Sequence, residues 1–114
     1  MLHPDEIRLR HMLDAVREAL AFTSDKTRAD VESNRMLILA LIQLLEIIGE
    51  AANGITSEFR RDYAEVPWNS IIKMRHRLIH GYFDVDVDIV WQTITNDLPP
   101  LRKRLESIVK NFAR

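Results

Sequence analysis

The chain has no cysteine, only three glycines and four prolines, and no uninterrupted apolar stretch near its start. The missing cysteines exclude disulfides and thiolate metal sites, which fits a reducing cytoplasm. The scarcity of glycine and proline argues against an all-β protein, in which turns need both residues. Asp5, Glu6, Arg8 and Arg10 interrupt the region where a signal peptide would carry its apolar segment. We therefore expect a cytoplasmic protein.

An excess of positive charge is also missing. The 114 residues include 16 Lys and Arg against 17 Asp and Glu, which gives a net charge of −1. Dedicated nucleic-acid-binding proteins usually carry a strongly positive field, so RNA contact here would depend on a local basic patch, enlarged by oligomerisation. With 46% hydrophobic residues, the length suits one compact domain over residues 1–114.

Apolar residues recur with helical spacing through most of the chain. They predict an all-α protein, an antiparallel bundle of four long helices with one or two short ones. The long helices are predicted to begin near Pro4, at Asn34 or Arg35, after Pro67, and at Asp84 or Asp86. Candidate N-caps of short helices are Ser24 or Asp25, and Thr56 or Ser57. Asp84–Ile89 alternates like a strand, but a lone strand would have no partner, so we expect a helix start there. At Pro99 and Pro100 the last helix must kink or restart.

The most apolar segment is Met36–Ile48, on a helix predicted to end near Asn53. Its thirteen residues are fewer than the roughly 20 that a membrane span needs, so we expect a buried helix and no membrane contact. The segment is apolar on nearly all sides, and one chain of this size offers little cover. We therefore expect a homodimer or a larger symmetric oligomer that buries the central and motif helices.

A polar stripe interrupts this apolar helix. Glu46, Glu50 and Asn53 recur at i, i+4 and i+7. One interpretation is simple solvent exposure at a helix end. The other is that Glu46 or Glu50 pairs with Arg75 or His80 and holds the following motif in place. Gly49, between the two glutamates, would let another helix approach closely.

Charged and titratable residues are concentrated in the stretch Lys73–Tyr82. It contains Lys73, Arg75, His76, Arg77 and His80, followed by Gly81 and Tyr82. On an ideal helix Arg75 and His80 would lie about 140° and roughly 7.5 Å apart, on different faces. Gly81 is typical of the position just after a helix, so we expect the helix to end at His80. Arg75, His80 and Tyr82 would then converge on a cleft.

Three interpretations of this stretch compete. The first is a solvated basic last turn that complements the helix dipole. The second is a metal site in which His76 and His80, at i and i+4, are joined by Asp84 or Asp86. The third is an acid/base site for phosphodiester chemistry, in which His80 handles protons and Arg75 holds the phosphate.

The spacing Arg75-x4-His80-x-Tyr82 resembles the signature of the HepT-like branch of the HEPN (higher eukaryotes and prokaryotes nucleotide-binding) superfamily. The resemblance extends from residue 22 to residue 105. Its further elements are Leu45–Ala52, Pro67-Trp68, Phe83–Asp86, Val90-Trp91 and Asp97–Pro99. The sequence departs from the family at His76, where relatives usually carry a small polar residue, often Asn. What that residue does in relatives is therefore not carried over to His76.

The resemblance implies a function. It implies a toxin that cleaves RNA without a metal or cofactor, with Arg75 and His80 as catalytic residues. Independently of the resemblance, five residues are candidates, by their charge and spacing, to support the site or contact RNA: Lys73, His76, Arg77, Glu46 and Glu50. The resemblance also implies a partner, a minimal nucleotidyltransferase that acts as antitoxin and transfers AMP onto Tyr82.

A rival function belongs to a different class. HEPN domains also serve as non-catalytic nucleotide-binding or scaffold partners of nucleotidyltransferases, and Arg75 and His80 would then only grip phosphate. The presence of both residues together with Tyr82 favours the enzyme. RNA cleavage by the wild type but not by His80→Ala would discriminate the two classes.

Overall fold

The computed structural model describes residues 3–80 and 84–112, and for Ile79 and His80 the backbone alone. Apart from one pair of two-residue strands, the regular secondary structure of the described residues is helical, so the all-α prediction is confirmed. The elements in order are α1 (Pro4–Thr23), α2 (Arg28–Glu32), α3 (Arg35–Gly54), α4 (Ser57–Asp62), α5 (Trp68–Lys73), α6 (Arg75–Leu78), β1 (Ile79–His80), β2 (Asp84–Val85), α7 (Val87–Gln92), a π-helical segment (Thr93–Asp97) and α8 (Leu98–Lys110).

Helix α1 packs against α3 on one side and α8 on another. Asp5, in the first turn of α1, is buried and accepts hydrogen bonds from the Thr56 amide (3.0 Å) and hydroxyl (2.7 Å), just beyond the end of α3. Arg17 pairs with Glu106 at 2.8 Å, while Arg10 lies over the Phe112 ring. These contacts place the start of α1 beside the ends of α3 and α8, so α1 runs antiparallel to both.

Helix α3 begins as predicted, because the Asn34 side chain caps it by accepting from the Leu37 amide. It is 20 residues long, longer than its thirteen-residue apolar segment, and by length and composition alone it would pass as a membrane span. Seven of its residues are buried in the domain core, as is typical of a core helix: Ile38, Leu41, Ile42, Leu44, Leu45, Ile48 and Ala52.

One chain covers α3 more completely than predicted. Among its large apolar residues in the described chain, only Met36 (82%) and Leu39 (49%) are exposed. The positions 36, 39, 43, 46, 50 and 53 follow alternating steps of three and four residues along one stripe. All of them are exposed except Glu46, which is half-buried. The stripe is apolar at its beginning and polar towards its end.

The segment that carries the motif is short and divided, in contrast to the expected long helix. Helix α5 ends at Lys73 and α6 covers only Arg75–Leu78. The prediction that the helix reaches His80 is wrong, because Ile79–His80 is already extended and pairs antiparallel with Asp84–Val85. The Asp86 amide also donates to the Leu78 carbonyl at 2.8 Å, where the helix stops.

The predicted absence of a strand partner was therefore also wrong, since Asp84–Val85 pairs with β1. The alternative start at Asp86 is confirmed, because its side chain accepts from the Ile89 amide and caps α7. The two prolines were expected to force a kink or restart, and they occupy the first turn of α8, directly after the π-helical segment.

Two of the short helices, α2 and α4, are capped by threonines. Thr56 caps α4, as one of the two predicted alternatives. Ser24 and Asp25 were the wrong caps for α2, because Thr27 and Asp30 form a reciprocal capping box there instead. Arg28, at the start of α2, donates to Glu32 and to Asp88 of α7, the latter at 2.6 Å. Both bonds raise the pKa of Arg28, and the bond to Asp88 has the larger effect. The bond to Asp88 also ties α2 to the beginning of α7.

Candidate functional site

The motif segment is held against α3 by its apolar side. The Trp68 indole donates to the Tyr63 carbonyl at 3.0 Å and fixes the start of α5. Four side chains of the segment are buried: Trp68, Ile71, Met74 and Leu78. The polar ones are exposed, as predicted: Lys73, Arg75, His76 and Arg77. The apolar side therefore packs into the domain while every cation of the segment reaches solvent.

Gly49 allows α5 to approach α3 closely, as the sequence predicted. A Cβ at this position would lie 3.2 Å from the Ile71 carbonyl oxygen, tighter than an ordinary contact. Because the obstacle is backbone, it cannot swing away as a side chain would. The absence of a side chain at Gly49 therefore sets the distance between the helix that carries Glu50 and the segment that carries Arg75.

Arg75 and Glu50 form the one direct link between the motif cations and the polar stripe within the described residues. The Arg75 guanidinium donates to the Glu50 carboxylate at 3.4 Å. The side chains are 55% and 72% exposed, so water screens the pair and it contributes little to stability. Its effect is to orient Arg75, which keeps other N–H groups available for an anion. Of the two glutamates considered in the sequence, Glu50 makes the contact.

The other two signature residues are described less completely. The His80 backbone lies in β1 opposite Asp84, two residues after α6 ends. Its side chain, and Gly81 and Tyr82 entirely, lie outside the described residues. The expected convergence of Arg75, His80 and Tyr82 on a cleft, and the turn at Gly81, therefore stay predictions. The backbone does place His80 on the extended segment that leaves the helix of Arg75.

A metal site was the second interpretation of the stretch. In the described part of the chain, no three His, Asp or Glu side chains lie close enough together to hold a metal ion. Asp86 is engaged in capping α7, and His76 is exposed on α6. Because the His80 side chain is outside that description, the metal interpretation is left to experiment.

Two surface features beside the motif had not been predicted. A shallow groove between α1 and α3 is lined by Arg8, His11, Glu46 and Glu50, among others, so it includes the glutamate that pairs with Arg75. A deeper cavity of about 320 Å³ lies between α5–α6 and the start of α8, and Arg77 and Arg104 contribute to it. Neither feature had a signal in the sequence, because contacts between distant helices leave no local pattern.

Comparisons with known proteins agree with this architecture. The family model described as "Ribonuclease HepT-like" matches residues 12–108. A Thermococcus cleftensis protein named "Probable ribonuclease HepT" is 37% identical over 102 residues, 86% of this chain and 93% of the relative. A Methanocaldococcus jannaschii protein named "Putative RNase" is 34% identical over 100 residues, 88% of this chain and 92% of the relative.

A further relative is a larger protein. The Methanocaldococcus jannaschii protein named "Gamma-glutamylcyclotransferase and putative RNase" is 35% identical over 107 residues. The match covers 94% of this chain but only 48% of that relative, so this chain spans about half of its length. No solved structure matches this chain. The family match over most of the chain and the identities above 30% show that the chain belongs to the HepT-like ribonuclease family.

Proposed function

We propose that the chain is a metal-independent endoribonuclease and the toxin of a toxin–antitoxin pair. The observation that carries the proposal is the exposed Arg75 guanidinium, oriented by Glu50 and followed five residues later by His80, whose backbone lies in β1. Family membership and the relatives named as ribonucleases support RNA as the substrate. Phosphodiester transfer can use a histidine to move protons and a cationic side chain to stabilise the charge on the phosphoryl oxygens.

The reaction uses the 2′-hydroxyl of RNA as nucleophile. His80 takes the proton from this hydroxyl as its oxygen forms a bond to phosphorus. The bond from phosphorus to the 5′-oxygen breaks, and that oxygen receives the proton that His80 took up, which leaves a 2′,3′-cyclic phosphate and a 5′-hydroxyl. Arg75 stabilises the negative charge that builds up on the phosphoryl oxygens. DNA has no 2′-hydroxyl and is not cleaved.

The exposed stripe of α3, at positions 36, 39, 43, 46, 50 and 53, supports the proposal of a homodimer. Met36 and Leu39 form the apolar end of a stripe with the three-and-four spacing of a coiled-coil seam. A second copy on this stripe would complete the antiparallel bundle. It would also bring a second set of motif cations to the same surface. Such pairing raises the local positive charge that a chain of net charge −1 needs to hold RNA.

Regulation by a partner is the remaining part of the proposal. A minimal nucleotidyltransferase antitoxin transfers AMP from ATP to the Tyr82 hydroxyl, and pyrophosphate leaves. The modified tyrosine carries a phosphodiester and an adenosine two residues beyond His80. The new phosphate competes with RNA for the Arg75 guanidinium, and the adenosine blocks the site sterically. The pair operates in the cytoplasm, where ATP is available.

The test is RNA cleavage in the presence of chelator by the wild type, His80→Ala, Arg75→Ala and His76→Ala. We expect His80→Ala and Arg75→Ala to lose on the order of 10² to 10⁴ in rate, because acid/base and charge stabilisation are worth that much. His76→Ala is the matched control for the metal interpretation. Equal losses in the two histidine variants, with activity that requires an added divalent metal, would contradict the metal-free mechanism. Equal cleavage by wild type and His80→Ala would point to the scaffold function.

A further inference from the structure

The cavity between the motif segment and α8 is separate from the Arg75–Glu50 pair. Its volume is about 320 Å³, within the range of pockets that hold small organic ligands. One wall is the motif segment and the opposite wall is the π-helical segment with the beginning of α8. The lining residues fall into an apolar floor (Ile48, Ile71, Met74, Leu98 and Leu101) and a polar rim that includes Ser70, Arg77, Asp97 and Arg104.

The floor and the rim have different chemistry. All five floor side chains belong to the buried core, so the floor is fixed by the packing of α3, α5 and α8. Met74 adds a polarisable sulfur, which packs well on flat aromatic groups. The four polar rim residues are exposed and are free to meet a ligand from solvent. A flat, mostly apolar group with an attached charge fits such a site.

Two cations approach the cavity from different elements. Arg77 belongs to α6 and Arg104 to α8, and neither guanidinium has a carboxylate partner among residues 3–80 and 84–112. Arginine is the preferred partner of phosphate, because its planar donors match the phosphate oxygens. Asp97 supplies the one carboxylate of the lining, which can accept hydrogen bonds from a base edge. The rim therefore offers cationic donors to a phosphate and an acceptor to a base.

We propose that this cavity binds one unstacked nucleotide of the RNA substrate, beside the nucleotide that is cleaved. The base lies on the apolar floor near Met74 and Leu101, and its phosphate lies between Arg77 and Arg104. This inference rests on the proposed ribonuclease function and extends it with a subsite for a base.

The geometry of α6 connects the two sites. Arg75 and Arg77 are two residues apart, which is about 200° around a helix, so they face opposite sides. Arg75 faces Glu50 on α3, whereas Arg77 contributes to the cavity beside α8. A single RNA strand that crosses the exposed surface of α6 contacts both arginines in succession. The scissile phosphate lies at Arg75 and an adjacent nucleotide enters the cavity.

Binding of a fluorescent 12-nucleotide single-stranded RNA tests the subsite. All variants are made in the His80→Ala background, so that the RNA stays intact. We expect Arg104→Ala to weaken binding about tenfold and to lower the slope of log K against log salt by about 0.7, the value for one lost phosphate contact in a single strand. Arg102→Ala is the matched control, because it removes the same charge from α8 at a residue that does not line the cavity. Equal effects of the two variants would overturn the subsite.

Ser70→Trp tests the base part of the site. Ser70 is exposed at the rim, so the indole can fill the cavity without disturbing the core, and a thermal melt checks the fold. We expect about fivefold weaker RNA binding or more, since one base loses its stacking surface. Unchanged binding by folded Ser70→Trp would contradict a base in the cavity.

Photocross-linking locates the base directly. An RNA that carries one 8-azidoadenosine should label peptides that contain Met74 or Leu101, and Ser70→Trp should abolish this labelling. Free 8-azido-AMP at the same concentration should label these peptides weakly; equal labelling would assign the cavity to free nucleotides instead. A change of oligomeric mass in Arg104→Ala, with RNA binding intact, would assign it to contact between two copies.

The outcomes separate this inference from the proposed function. Suppose that the protein with His80 intact cleaves RNA, but that Arg104→Ala binds RNA like Arg102→Ala and Ser70→Trp binds RNA like its His80→Ala parent. The subsite is then wrong and the ribonuclease function stands. If the wild type does not cleave RNA while the cross-link and the affinity losses appear, the nucleotide site stands and the catalytic proposal fails.

Discussion

Glu50 holds the Arg75 guanidinium at 3.4 Å across the contact between α3 and the motif segment. The pair joins two residues 25 positions apart and is open to water on both sides. Because the pair contributes little to stability and uses only part of the guanidinium, its role is to orient Arg75. The carboxylate limits the directions in which an otherwise flexible arginine can extend.

Glu50→Gln is predicted to slow RNA cleavage at saturating RNA about two- to fivefold, because an exposed charge pair is worth up to about 1 kcal/mol. Glu46→Gln, one helical turn earlier, is the matched control and should change the rate less than twofold. The melting temperature of both variants should stay near that of the wild type. A loss in Glu46→Gln as large as that in Glu50→Gln would contradict the assignment of Glu50 to Arg75.

Gly49→Ala is predicted to destabilise the fold by up to about 2 kcal/mol. Alanine improves helix propensity by about 1 kcal/mol, but a methyl group 3.2 Å from the Ile71 carbonyl oxygen forces α5 outwards, at a cost of about 1 to 3 kcal/mol. Urea unfolding measures the change, and cleavage should fall as Arg75 moves from Glu50.

Gly54→Ala is the control for this substitution. Its Cβ would meet the Arg8 side chain, which is exposed and can move aside. We expect stability within about 0.5 kcal/mol of the wild type. If Gly54→Ala proved the more damaging substitution, the explanation of Gly49 by helix approach would be wrong.

A dimer is predicted to form through the exposed stripe of α3. Light scattering at micromolar concentration should give twice the mass of the 13.3-kDa chain. Met36→Glu combined with Leu39→Glu should give the monomer, since charges would replace the apolar end of the seam. Phe22→Glu, which alters a similarly exposed apolar residue on α1, should leave the mass unchanged. A monomeric wild type at moderate salt would rule the dimer out.

Tyr82→Phe is predicted to cleave RNA and to escape neutralisation. Co-expression of the wild type with the nucleotidyltransferase should add one or more AMP units, which peptide mass spectrometry should locate at Tyr82, and cleavage should be lost. Without the partner, the variant should be as active as the wild type, because the hydroxyl is only an acceptor. An inactive Tyr82→Phe would instead place the hydroxyl in the reaction, and AMP at another residue would exclude Tyr82 as the regulatory site.

Local signals in the sequence were sufficient for most of the fold. The starts of three helices were predictable from side chains that can cap them, namely Asn34, Thr56 and Asp86. The start of α1 was predictable from Pro4, which lies in its first turn. The prediction for α2 failed because Thr27 and Asp30 cap it reciprocally, which a single polar residue such as Ser24 cannot match.

Errors occurred where distant residues decide the structure. Gly81 suggested a helix end at His80, but pairing of Ile79–His80 with Asp84–Val85 ends α6 earlier. The extent to which one chain buries α3 was underestimated, because the composition of α3 does not show that α1 and α5 pack on it. For the site, the polar stripe predicted that a glutamate of α3 would pair with Arg75. The position of Arg104 across the cavity could not be predicted, because this residue is far from the motif in the sequence.

The π-helical segment Thr93–Asp97 accommodates one additional residue between α7 and α8. The Leu98 amide donates to the Thr93 carbonyl, five residues back, so this turn holds one residue more than an α-helical turn. Because the wider turn takes up the additional residue, α7 and α8 keep the relative orientation of one continuous helix. Deleting Asn96, an exposed residue, would restore α-helical spacing and leave Leu101, Leu105 and Arg104 on their present faces. A deletion within the regular turns of α8 would instead rotate all residues after it by about 100°. The π-helical segment is therefore the place where this helix tolerates a change of one residue in length.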